Sequence, residues 1–61
     1  MRYRHKKRGS VYEIIYDAAT MQNSTDRSHD GELVVVYQNV DSLEVYVRPY
    51  REFHDGRFEE L

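Results

Sequence analysis

Cysteine and tryptophan are absent, and there is one proline in 61 residues. Without cysteine, disulfide scaffolds, zinc ribbons and thiol nucleophiles are excluded. No stretch approaches the roughly 20 apolar residues of a membrane span, so no membrane partner is expected. No signal peptide is expected either, which points to a cytoplasmic location. Repeats, low-complexity tracts and linkers are lacking too, so residues 1–61 are expected to form one domain. A domain of this size hides only about 60% of its unfolded surface, which argues against a large enclosed active-site cavity. What core there is must be partly tyrosine: hydrophobic residues make up 39% of the chain and six of them are Tyr.

Signatures of catalysis are missing as well. Ser10, Ser24, Ser28 and Ser42 have no G-x-S-x-G context, and no Gly-rich phosphate loop leads from a strand into a helix. His29-Asp30 and His54-Asp55 fall in turn-rich segments, and no H-x-x-x-H spacing exists to hold a metal. The expectation is a non-enzyme without metal or cofactor. Asn23-Ser24-Thr25 matches a glycosylation acceptor, but a chain without a secretion signal does not meet that machinery.

The formal net charge of -2 conceals an uneven distribution. Arg2, Arg4, Lys6, Lys7 and Arg8 place five of the nine cations in the first eight residues; from Gly9 onward four Arg face eleven acids. Such a basic segment can hold nucleic-acid phosphate. The preferred reading is a solvated strand and loop that offsets the acidic body, with Glu59-Glu60 folded near it.

Local patterning favours strands. Leu33 to Tyr37 holds three consecutive valines and a tyrosine, apolar on both faces, which suits a central strand. Leu43-Glu44-Val45-Tyr46-Val47-Arg48 alternates, so Leu43, Val45 and Val47 should face the core and Glu44, Tyr46 and Arg48 the solvent. Pro49 ends that strand and suits the first position of a short 3₁₀ turn through Phe53. His54-Asp55-Gly56 then turns the chain into a last strand, Arg57 to Glu60, with Phe58 inward. Gln22 to Gly31 is a polar loop closed by Asp30-Gly31. Ser10 to Met21 is ambiguous. Val11, Ile14, Ile15 and Ala18 fall at helical spacing behind a Ser10-x-x-Glu13 capping box, whereas as a strand Tyr12, Ile14, Tyr16 and Ala18 share a face.

Three blocks carry a family likeness: Tyr3-Arg4-His5 followed by lysine, glycine and Tyr12-Glu13-Ile14; Glu32-Leu33-Val34-Val35-Val36-Tyr37; and Val45-Tyr46-Val47-Arg48-Pro49 with Phe53 four residues on. Together they resemble the bacterial and phage family known as domain of unknown function 1653, over most of the span from Tyr3 to Phe53. The chain departs from the family pattern by an extra Arg8, a longer 20–31 loop, a shorter 37–45 connection, Tyr46 in place of tryptophan and a short tail. The resemblance implies an all-β fold, a single SH3-like barrel of about five strands, with Val11 to Thr20 a long bent strand. It supplies no catalytic residues. The core implied by pattern and resemblance together is Tyr12, Ile14, Tyr16, Leu33, Val35, Tyr37, Val45, Val47, Phe53 and Phe58.

Two exposed groups stand out as binding candidates. Tyr46 and Arg48, at i and i+2 of one strand, present an aromatic plate beside a guanidinium, with Tyr50 and Arg51 close in sequence. Such a pair can stack a base, grip a phosphate or carboxylate, or anchor a protein; structurally, Arg48 can instead pair with Glu13 or Glu44 while Tyr46 covers the barrel mouth. Tyr3, Arg4 and His5 form a second candidate, either an edge strand for single-stranded nucleic acid or a strand whose Tyr3 and His5 close the barrel against the C-terminal strand. The expected function is a non-catalytic, protein-binding adaptor acting through the Tyr/Arg face, rimmed by a mobile 22–31 loop, as monomer or weak homodimer. The alternatives are nucleic-acid binding through Arg2, Arg4, Lys6, Lys7 and Arg8, or a phage-type inhibitor of a host factor.

Overall fold

Over residues 1–22 and 30–61, which the computed structural model describes, five strands make one antiparallel sheet. They are β1 (Arg2–His5), β2 (Val11–Thr20), β3 (Leu33–Asn39), β4 (Val45–Pro49) and β5 (Phe58–Glu60), with a single helical turn, α1 (Tyr50–Phe53), before β5. The order is β4-β3-β2-β1-β5. Four strands form a meander, and β5 returns to the free side of β1. β3 is central, as its apolar faces demand. β1 is interior, lying against the C-terminal strand and not at an edge, the second of the two readings given for Tyr3 to His5; the edges are β4 and β5, which do not pair, so the sheet stays open. The expectations on the 22–31 loop, the Asn23 acceptor and His29 lie mostly or wholly outside the described residues.

Ser10 to Met21 resolves as strand. The capping box is unused because Glu13 takes other partners: the N-terminal ammonium at 2.7 Å and Arg2 Nε at 3.4 Å. β2 is irregular, however. Ile14 faces Tyr37 but Tyr16 faces Val36, so two residues oppose one, and the register slips again before Ala19↔Val34. Each extra residue turns the following side chains to the other face. Tyr12 and Ile14 therefore point inward, while Tyr16, expected in the core, lies outside and is 64% exposed.

The second correction concerns β4. The turn before it is fixed by Asn39, whose Oδ1 accepts from the amides of Asp41 (2.8 Å) and Ser42 (2.9 Å). Leu43 passes through it with φ 65° and donates its N–H to Asn39 O at 2.9 Å. The resulting register sets Tyr46 opposite Tyr37 and Arg48 opposite Val35. Directly opposed residues share a face, and Tyr37 and Val35 are buried. Tyr46 and Arg48 thus turn inward, while Val45 and Val47 face out, each 55% exposed, with Leu43 exposed in the turn. Aromatic partners decided the phase: Tyr46 joins Tyr37 and Tyr12, with centroids at 5.8 and 6.1 Å. Leu33 is also exposed, whereas Val34 is buried.

The core is Tyr12, Val35, Tyr37, Phe53 and Phe58, with Tyr3 and Ile14 packed against it. Phe53 and Phe58 stack at 4.2 Å, and Tyr3 meets Phe53 edge-on at 5.1 Å. Phe53 arrives on α1, which closes by His54 N–H to Tyr50 O at 3.1 Å. That i to i+4 bond makes the turn α-helical where 3₁₀ was expected.

Candidate functional site

The turn between β1 and β2 is held by three short-range bonds. His5 N–H reaches Ser10 O at 2.9 Å, and Gly9 N–H reaches His5 O at 2.7 Å. His5 Nδ1 accepts from Arg8 N–H at 3.2 Å. Gly9 sits at φ 77°, a left-handed conformation that glycine adopts without a Cβ clash. The turn holds Lys6, Lys7 and Arg8 just beyond the end of β1. Lys6 N–H also bonds Arg57 O at 3.0 Å, which brings the residue before β5 to the same place.

Arg48 completes the group from β4. Its guanidinium carbon lies 5.6 Å from the Phe58 ring centre, and its Nε donates to the Tyr37 hydroxyl at 3.2 Å. The His5 ring meets Phe58 edge-on at 4.9 Å. Phe58, itself buried, is thus a common support for His5 and Arg48. These two side chains help line a cleft of about 620 Å³ together with Lys6, Lys7, Arg8 and Arg57. Among the described residues, no carboxylate lines it. Glu52 stands behind, 3.6 Å from Arg48 Nη1 and 3.3 Å from Arg57 Nη1, and Asp55 lies 3.1 Å from Arg57 Nε. Lys6, Lys7 and Arg8 form no ion pair with a described residue. Five cations therefore face two carboxylates.

The electrostatics follow from this crowding. Burial, then the charges of Arg8, Arg48, Arg57 and Lys7, lower the His5 pKa from its ordinary value. With Nδ1 accepting from Arg8, the neutral ring carries its proton on Nε2. The bond to the Tyr37 hydroxyl raises the pKa of Arg48; burial opposes this, and Glu52 and Asp55 assist it. Guanidinium forks and ammonium groups gathered around one cleft suit a phosphate or carboxylate. Among the described residues, no three His, Asp or Glu side chains converge as a metal site requires.

The structure divides the residues singled out from the sequence. Arg48 enters the cleft, paired with Glu52 in place of Glu13 or Glu44. Tyr46 lies beside it at 38% exposure, its hydroxyl pKa raised by desolvation and then by Glu44. Tyr50 and Arg51 lie elsewhere, lining a separate cavity of about 620 Å³ with Glu32, Leu33, Pro49 and Glu52. His5 joins the cleft; Tyr3 packs on Phe53, and β1 pairs with β5 through Tyr3↔Glu60 and His5↔Phe58. Arg2 and Arg4 leave the basic group, because Arg2 bonds Glu13 and Arg4 pairs with Glu59, its Nε at 2.7 Å. Arg57 was missed. Its signal was its place after the Asp55-Gly56 turn at the start of the strand that returns to β1. No family model, curated protein or solved structure matches the chain.

Proposed function

We propose that the protein is a non-catalytic binding module whose basic cleft holds the phosphates of a nucleic acid. One observation carries this: cations from the 6–8 turn, β4 and the segment before β5 converge on a cleft that no carboxylate of the described residues lines. The acidic balance of the chain does not oppose it, since Glu13 and Glu59 are engaged by Arg2 and Arg4 away from the cleft. Five cations less two carboxylates correspond to roughly three neutralised phosphates, a log–log salt slope of about -2 to -3. Raising salt from about 50 to 200 mM should then weaken binding about 20- to 40-fold in fluorescence anisotropy. A triple Lys6→Gln, Lys7→Gln, Arg8→Gln variant should lose most of that affinity. Salt-independent binding, or none to single- or double-stranded probes, refutes the proposal.

We infer that the same module is an SH3-like barrel parted between β4 and β5; its five antiparallel strands support this reading, and the unpaired edges are where it departs from a closed barrel. The resemblance to domain of unknown function 1653 implies about five strands with a long bent second one, and the strand count and the irregular β2 agree with that much. A second reading, a protein adaptor, is favoured by the separate cavity of Leu33, Pro49 and Tyr50, an apolar floor with charged flanks. Affinity capture tests it: a partner lost with Tyr50→Ala but kept by the triple variant supports the adaptor, and one indifferent to Tyr50 counts against it.

A further inference from the structure

We infer that the site selects single strands, laying one unpaired base on the ring of Tyr46 while the adjoining phosphates occupy the basic cleft; this rests on the phosphate-binding function proposed above. Tyr46 and Arg48 share the inner face of β4, about 7 Å apart along the strand. Arg48 is a wall of the cleft, so Tyr46 is the next surface a strand leaving the cleft would meet.

The ring is already fixed. Tyr37 inclines against it at 31° and Tyr12 meets it at 83°, so little rotamer freedom remains to be lost on binding. It is nevertheless more than a third exposed, because β4 is an edge strand with no neighbour beyond it. A duplex keeps its base faces stacked inside and has none to offer this ring. Stacking also tolerates any base, so the preference is for strandedness and not for sequence. Glu44 adds direction. Its charge acts on the Tyr46 hydroxyl and repels phosphate from that end, leaving the Arg48 side for the backbone.

Fluorescence anisotropy with three labelled probes of roughly 15 units tests this: an oligothymidine, an abasic sugar–phosphate strand and a duplex. The wild-type chain should bind oligothymidine about tenfold more tightly than the abasic strand, the equivalent of one stacked base. The duplex should be weaker than oligothymidine. Tyr46→Leu should remove the tenfold advantage while leaving abasic affinity unchanged, and Tyr46→Phe should retain it. If Tyr46→Leu does not fold, the wild-type ring decides: its NMR protons should shift upfield with oligothymidine and not with the abasic strand. Equal affinity for thymidine and abasic strands, tighter duplex binding or an unmoved Tyr46 ring overturns the inference while leaving the phosphate function intact. Failure of all three probes to bind at low salt overturns both.

Discussion

Replacing Val35 and, separately, Val47 by threonine tests the orientation of β4 on which the site depends. Threonine keeps the shape and strand preference of valine and exchanges one methyl for a hydroxyl. Val35 is 0% exposed. A hydroxyl there is stripped of water without an assured partner and costs about 2 kcal/mol. A chain of 61 residues has a total stability of only about 3–9 kcal/mol, so that is a substantial share. At about 4–8 °C per kcal/mol the melting temperature should fall by about 8–16 °C. Val47 is 55% exposed, and its hydroxyl would meet water. Its substitution should stay within about 0.5 kcal/mol of the wild type. Thermal and urea unfolding followed by circular dichroism would measure both, with an unchanged urea slope confirming that only stability has moved. If Val47→Thr costs as much as Val35→Thr, β4 is shifted by one residue. Leu43, Val45 and Val47 would then face inward, and Arg48 would leave the cleft.

Two further outcomes follow from the turns that frame the site. Leu43→Gly should raise the urea midpoint, because φ 65° strains a residue with a Cβ by about 1–2 kcal/mol, more than the backbone entropy glycine loses, and the exposed side chain gives little back; a lower midpoint refutes this. The His5 imidazole should titrate below the ordinary histidine range in an NMR pH series, and Arg8→Gln should move it upward. Because the folded-state pKa is depressed, the unfolded chain takes up the proton first; stability is held above about pH 6.5 and lost as the pH falls below it, until the folded-state pKa is passed. A His5 titration at or above the ordinary value refutes this second expectation.

Much of the sheet was legible because its signals are local. The valine run of β3, the Pro49 stop and the Asp55-Gly56 turn each act within a few residues. Facing was not. In Leu43 to Arg48 either phase of the alternation gives a passable strand, and the choice fell to Tyr12, Tyr37 and Phe58, none of them nearby in sequence. β2 hid its second half for a related reason: the register slips after Ile14 leave no mark in Ile15-Tyr16-Asp17, yet they carry Tyr16 out of the core. The site was half visible. The basic run announced Lys6, Lys7 and Arg8, and the strand pattern announced the Tyr46–Arg48 pair, but their union through Phe58, with Arg57 added and Arg2 and Arg4 removed, is a property of the folded sheet.

The side chain that supports His5 and Arg48 from beneath, Phe58, belongs to a strand of three residues. β5 is held by β1 across a separation of 55 residues at Arg4–Glu59, and it pairs with nothing on its other side. Closing so long a loop repays its entropy only late in folding, whereas the β2–β3–β4 meander draws on near neighbours. The integrity of the cleft is therefore a local equilibrium within the larger one. An opening that peels β5 away takes Phe58 from beneath His5 and Arg48 and Arg57 from beside Lys6, and it dissolves the cleft while the meander remains paired. A ligand of the proposed kind seated there would act as a clasp: it would raise the cost of that opening with the logarithm of its saturation, and amide exchange in the end strand would report occupancy most directly.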